Sequence, residues 1–224
     1  AFAEHPVVPH AVRVMVAGRV QDEAWLRALW DLAPDEPGLM AAAATVGSIE
    51  LIQRAIEQNV DINNIDMLDS HPVDLAATYS HYDVMQFLCA QDDIDLDQAI
   101  LTACEHARGL GDDVCVVVAS LLYRGAEVDG AVFGFIADGR YPLAFAIHAD
   151  NAQLVRLLCE HGAQDPRNLD HKIIFSALGL ACELAQPECV SILLEFGFSC
   201  DEPSLYPGSA SDPMTPLMHA AKTS

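Results

Sequence analysis

Apolar positions along the chain recur in short blocks with helical spacing. They read Ile52-Gln53-Arg54-Ala55-Ile56, Met85-Gln86-Phe87-Leu88-Cys89, Val118-Ala119-Ser120-Leu121-Leu122, Val155-Arg156-Leu157-Leu158-Cys159 and Val190-Ser191-Ile192-Leu193-Leu194. The equivalent positions Ala55, Leu88, Leu121, Leu158 and Leu193 are 33, 33, 37 and 35 residues apart. The i, i+3, i+4 spacing within each block predicts a one-sided amphipathic helix. A period of this size predicts a stacked repeat. A second set of blocks is rich in small residues: Met40–Ala44, Val73–Ala77, Ile100–Cys104, Leu143–Ile147, Leu178–Cys182 and Leu217–Ala221. Small residues on one face let two helices approach closely. Each unit is therefore expected to hold a small-residue helix followed by an amphipathic one. Gly125, Gly162 and Gly197 close three of the amphipathic helices, where a left-handed stop is expected.

Residues 9–35 show the same alternation in weaker form. One helix is expected from His10 to Ala17 and a second from Asp22 to Leu32, the latter carrying Trp25, Leu26, Leu29 and Trp30. An atypical first unit is the expected form of a capping repeat, because only one of its sides is covered.

These blocks resemble the ankyrin repeat. His71-Pro72-Val73-Asp74-Leu75-Ala76-Ala77 and Thr215-Pro216-Leu217-Met218-His219-Ala220-Ala221 are similar to that family's Thr-Pro-Leu-His-x-Ala-Ala helix start. Leu157-Leu158-Cys159-Glu160-His161-Gly162-Ala163 resembles its Leu-Leu-x-x-Gly-Ala ending, and Asn59–Asn63 and Gly125–Asp129 resemble its Gly-Ala-Asp-Val-Asn segment. The resemblance implies an all-α, ankyrin-type helical-repeat solenoid with short β-hairpin or loop fingers. Its expected organisation is a capping repeat over 1–37 and five repeats at about 38–70, 71–97, 98–140, 141–175 and 176–214. A sixth repeat opens at 215–224 and is expected to continue in a longer protein.

Departures from the repeat are the local clues to function. The approach Asp92-Asp93-Ile94-Asp95-Leu96-Asp97 is short, which predicts a finger reduced to a turn. Ala107 to Asp112 is an insertion between two helices, expected as a loop or as a further turn of the first helix. The finger from Glu127 to Tyr141 is long and holds Ala131-Val132-Phe133-Gly134-Phe135-Ile136, an apolar run of the kind that marks contact surfaces. The connection from Ser199 to Pro213 is long and rich in Ser, Pro and Gly, as surface loops are.

Charge narrows the partner class. Thirty-three acidic residues stand against 11 Lys and Arg, a formal net charge of −22. Nucleic-acid backbone binding needs clustered cations, and the only lysines are Lys172 and Lys222. A basic partner is favoured instead. No stretch approaches the roughly 18 apolar residues of a membrane span, so direct membrane insertion is not expected. The start also lacks the charged and apolar regions of a signal peptide. Seven cysteines fall mostly within helical apolar patterns, as small hydrophobes do. They point to a reducing intracellular compartment, cytoplasmic or nuclear. Cys182 and Cys189 lack a ligand spacing, and the acidic run at 92–97 lacks the central Gly and closing Glu of a calcium loop. No metal, cofactor or catalytic residue is expected, and the chain reads as a binding module rather than an enzyme.

The resemblance implies a partner surface made of finger tips and the exposed ends of the first helices. The positions carried over are Thr45, Val46, Thr78, Tyr79, Glu105, His106, His148, Ala149, Glu183 and Leu184, with Asp66 and Asp69 among the finger residues. Phe133, Phe135, Arg140 and Tyr141 are added from the long finger. The expected role is to hold a basic protein or peptide segment in an acidic concave groove, as a monomeric domain. Other readings are a targeting or recruitment segment of a larger enzyme, or of a secreted effector acting inside a host cell, and a structural spacer.

Overall fold

The computed structural model describes residues 9–33, 38–66, 68, 70–111, 113–129, 141–166, 176–201, 215–216, 218 and 221. It is all-helical over these residues. The helices are α1 (His10–Arg19), α2 (Glu23–Leu32), α3 (Leu39–Val46), α4 (Ile49–Glu57), α5 (Pro72–Thr78), α6 (Tyr82–Cys89) and α7 (Leu96–Glu105). They continue as α8 (Ala107–Leu110), α9 (Asp113–Tyr123), α10 (Pro142–His148), α11 (Ala152–Glu160), α12 (Ala177–Glu183) and α13 (Pro187–Glu195). The chain divides into two compact units, Ala1–Asp95 and Leu96–Ser224.

In the first unit the first helices α1, α3 and α5 pack side by side, and each carries its second helix, α2, α4 and α6. In the second unit α7, α10 and α12 form the same kind of row, with α9, α11 and α13 as partners. Small residues make the rows close. Leu39 to Thr45 of α3, Gln98 to Cys104 of α7 and Ala177 to Cys182 of α12 are buried without a break. The second helices bury only a stripe: Leu51, Ile52 and Ala55 in α4, and Leu154, Val155, Leu158 and Cys159 in α11. Burial also pushes the Cys159 thiol up to about 11, so it behaves as a small hydrophobe.

One backbone device repeats at the turn from first to second helix. The residue in the turn is left-handed: Gln21 (φ 54°), Gly47 (75°), Ser80 (64°), Asp150 (55°) and Ala185 (55°). The next amide then reaches back to an alanine carbonyl. Asp22 bonds to Ala17 (3.0 Å), Ser48 to Ala43 (3.1 Å), His81 to Ala76 (2.8 Å), Asn151 to Ala146 (3.1 Å) and Gln186 to Ala181 (3.0 Å). These are the long-range bonds of a Schellman turn, which satisfy carbonyls left open at a helix end. A similar stop closes the second helices at Asn59, Gly125, Gly162 and Gly197, with amides of Val60, Ala126, Ala163 and Phe198 returning to Ala55, Leu121, Leu158 and Leu193. The three glycine stops read in the sequence are among them.

The connections differ from paired hairpins. Over the described part of 61–70 the chain forms a loop with no strand. Asp66 closes it, its amide bonding to the Ser70 carbonyl (3.0 Å) while its carboxylate accepts from the amides of Leu68 (2.8 Å) and Ser70 (3.0 Å). The acidic run at 92–95 is a turn, as expected from its length, with Ile94 buried. The insertion after α7 forms the four-residue helix α8, whose Ala107 and Leu110 are buried. The tips at 130–140 and 202–214 lie outside the described residues.

Side chains at the bases of the connections grip the following backbone. The Asn63 amide donates to the Asp93 carbonyl (2.8 Å), and its oxygen accepts from the Asp95 amide (2.8 Å). Asp97 accepts from the Glu127 amide (2.8 Å), and Asp129 from the Gln164 amide (3.0 Å).

Candidate functional site

The last residue of a first helix is the point where the row of packed helices meets solvent. Thr78, Glu105, His148 and Glu183 occupy that place and are all exposed; the Schellman turn bends the chain away after Thr78, His148 and Glu183, and α8 begins just after Glu105. Thr45 stands at the equivalent place in α3 but is buried, 3% exposed, and its hydroxyl donates to the Ala41 carbonyl (2.8 Å). The following positions Tyr79, His106 and Ala149 are half-buried, and Leu184 is exposed.

In the first unit the neighbourhood of Thr45 is occupied. Arg19 at the end of α1 pairs with Asp66 at 3.2 Å, and both line a cavity of about 10 Å³ with Thr45. The Asp66 side chain is only 7% exposed and already holds its own loop. Its geometry is that of a loop lock. Thr78 and Tyr79 remain on the accessible side of α5.

The second unit brings more candidates together. Arg108 of α8 reaches the main-chain oxygen of His148 (2.5 Å), across the end of α10. A cation is favoured there, because unsatisfied carbonyls give a helix C-terminus partial negative charge. Burial holds the His148 imidazole below its ordinary pKa, the Arg108 charge lowers it further, and the Glu183 carboxylate opposes both. His148, Arg108 and Glu183 therefore form one electrostatic group at the exposed helix ends. Sequence reasoning missed Arg108, whose only signal was its place inside the insertion after α7. His106 starts α8, and its carbonyl accepts from the amides of Gly109 (2.9 Å) and Leu110 (3.2 Å).

Tyr141 is placed differently from the expected finger contact. It precedes Pro142 at the start of α10 and is 6% exposed, so its ring packs inside the second unit. Asp69, Phe133, Phe135 and Arg140 lie outside the described residues. An open cleft of about 260 Å³ is lined by Gln164, Asp165, Phe196 and Phe198, which the sequence pattern did not single out.

Two further devices show which histidines and arginines are structural. The His81 ring lies against the Gly47 backbone, with its Nε2 3.1 Å from the Thr45 carbonyl. Gln186 holds the same place in its own turn and donates to the Ile147 carbonyl (2.8 Å). Each links a second-helix start to the preceding first helix. On the outer faces, Arg27 makes two bonds to Glu50 (2.7 and 2.9 Å), Arg54 bonds Asp31 (2.7 Å), and Arg156 makes two bonds to Glu195 (3.1 and 2.8 Å). Most of the sparse positive charge described is thus engaged within the fold.

The turn-and-carbonyl pattern, the paired rows and the recurring finger-base grip together define the repeat. Residues 105–204 match the family model described as ankyrin repeats (3 copies). Over that stretch the chain carries ankyrin repeats. Solved ankyrin-repeat structures extend the likeness to nearly its whole length. The crystal structure of the ankyrin repeat domain of Bcl-3, a member of the IkappaB protein family, is 21% identical with a TM-score of 0.61, covering 97% of this chain and 95% of that one. The human ASB11 ankyrin repeat domain is 15% identical with a TM-score of 0.62, covering 94% and 92%. At these identities the likeness establishes the fold. No curated protein matches the chain by sequence. Ankyrin repeats are generally protein-interaction modules. Among the described residues no helix is long and apolar enough to cross a membrane.

Proposed function

We propose that this chain is a non-catalytic module that binds a basic segment of a partner protein at the exposed first-helix ends of its second unit. The observation that carries this reading is the row formed by Glu105, His148 and Glu183. All three are exposed and close equivalent helices, and Glu183 lies near enough to act on the His148 charge. Leu184 and His106 flank the row and supply apolar and aromatic area, the kind of surface that anchors peptides. Arg108 limits the site. Its guanidinium lies at the end of α10, so a basic ligand is directed toward Glu105 and Glu183 rather than onto His148. In the first unit, Thr78 and Tyr79 offer a separate, less acidic contact of the same kind. With a net charge of −22, association is expected to be fast and salt-sensitive. The buried cysteines fit a reducing compartment.

The test is fluorescence anisotropy with a labelled arginine-rich peptide at low and high salt. Glu105→Gln with Glu183→Gln is expected to weaken binding and reduce its salt dependence, while Tyr79→Ala leaves this peptide's affinity nearly unchanged. Unchanged affinity in the double Gln variant would remove this row from the binding surface.

A further inference from the structure

Helix α9 carries a longer uncharged run than the other second helices. From Val114 to Tyr123 its sequence is Val-Cys-Val-Val-Val-Ala-Ser-Leu-Leu-Tyr, ten residues without a charge. The packed fold fully buries Val114, Val118 and Leu121, at i, i+4 and i+7. At about 100° per residue, Val116, Ser120 and Tyr123 fall on the opposite side of the helix. They are exposed, Val116 by 70% and Tyr123 by 93%. The corresponding outer faces carry Glu50, Gln53 and Glu57 in α4, Gln153 and Glu160 in α11, and Glu188 and Ser191 in α13. Val116 and Tyr123 therefore present apolar area along the middle and end of α9 where α4, α11 and the start of α13 present charge, amide or hydroxyl. Helices α2 and α13 expose a single leucine each, Leu32 and Leu194, near their ends. Interior packing does not require the apolar area on α9, since α11 buries its stripe while keeping a polar outer face.

We infer that the outer face of α9 is a second docking surface, and that its occupant is an amphipathic helix of a partner protein whose apolar stripe is flanked by lysine or arginine. The exposed residues lie at i, i+4 and i+7, the register in which one helix reads another. They span about 10 Å of helix at 1.5 Å per residue, close to two turns. Tyr123 supplies a large ring with a polar tip, a common anchor in such contacts. Charge selects the flanks. Exposed Asp113 begins α9, and exposed Glu127 follows it, with Arg124 as the adjoining cation. The chain as a whole is strongly acidic. A second copy would bring two chains of −22 together, and an anionic lipid surface would repel the same field. A basic helix gains from that field. This surface is separate from the first-helix row and does not depend on it.

The experiment uses a labelled peptide of leucine and lysine only, about 18 residues long so that it can form a helix. Leucines are set at i, i+3, i+4 and i+7, and a peptide of the same composition in scrambled order is the control. The chain is expected to bind the patterned peptide about tenfold more tightly than the scrambled one, an apolar contribution of ordinary size. Val116→Glu with Tyr123→Glu is expected to abolish that preference while the far-ultraviolet spectrum and melting temperature are retained. General attraction to an acidic surface predicts the reverse, because two added acids would strengthen binding. Ser120→Arg, a polar-to-polar change at an exposed site, is expected to weaken the patterned peptide and serves if the double variant does not fold. Equal affinity for the two peptides, or a preference that survives both variants, overturns the proposal. Self-association in sedimentation, or binding to anionic vesicles, that is lost in the double variant would overturn it in favour of a second copy or a membrane. Glu105→Gln with Glu183→Gln is expected to leave the patterned-over-scrambled preference intact, which separates this surface from the groove.

Discussion

Helices α4 and α9 hold the same place in their repeats yet face solvent in different ways. Both bury a stripe that begins near the first turn: Leu51, Ile52 and Ala55 in α4, and Val114, Val118 and Leu121 in α9. Outside that stripe α4 carries Glu50 paired with Arg27 and Arg54 paired with Asp31, so its outer face is an ionic strap to α2. In α9 the same outer surface is apolar. The difference separates two demands on one helix. The repeat fold requires a narrow buried stripe and a defined turn at each end. The rest of the surface is available to whatever chemistry the protein uses.

If both helices owe their place to the stripe alone, Leu51→Ala and Leu121→Ala should be similarly damaging. Each is expected to cost about 2–5 kcal/mol, the usual range for a Leu emptied from a packed core. Chemical denaturation with a separate probe in each unit measures this. A near-zero effect of Leu121→Ala would break the comparison.

The turns that enter the two helices sharpen it further. Gly47 precedes α4 with φ 75°, and an added Cβ would overlap the His81 ring. Gly111 precedes α9 with φ 58° and has open space around it. Gly47→Ala is expected to cost about 1–3 kcal/mol from left-handed strain and displacement of the ring. The loss should be partly relieved when combined with His81→Ala. Gly111→Ala should be insensitive to that second change, as double-variant denaturation will show.

The ionic strap is expected to matter less. Arg27→Ala should leave the melting temperature close to that of the parent, because exposed ion pairs are screened and contribute little. A large drop would mean that the polar outer face is part of the scaffold.

The smallest expected effect is the pH response of the second unit. His148 titrates below the ordinary imidazole range in the folded chain, mainly through burial. The unfolded chain therefore binds its proton first as pH falls, so stability declines as pH drops through about 6.5. His148→Asn should make that decline shallower in urea titrations between neutral and mildly acidic pH. An unchanged slope would remove His148 from the electrostatic group at the helix ends.

The helices were legible in the sequence because burial imposes periodicity. The 33-residue spacing gave the second helices, and the alanine blocks gave the first. The short acidic approach at 92–97 was also readable, since it has too few residues to build a finger. Turn conformation was less visible. Gly47 advertises a left-handed residue, but Gln21, Ser80, Asp150 and Ala185 adopt the same geometry without glycine. The return bond to an alanine carbonyl holds them there, and no residue type announces it. The candidate site was legible at Glu105 and His148, which end recognisable helices. It was not legible at Asp66, which looked like a finger tip and serves as a loop lock. The roles of Arg108 and Tyr141 likewise depended on packing between elements distant in sequence.

The finger-base grip has a consequence for how such a chain can be altered. Asn63, Asp97 and Asp129 each hold an amide, so the side chain of the residue being held is not consulted. The coupling works like a plug that accepts any socket of the right shape. The residues at Glu127 and Gln164 can be rewritten for a new target while the joint beside them stays closed, provided proline is kept out.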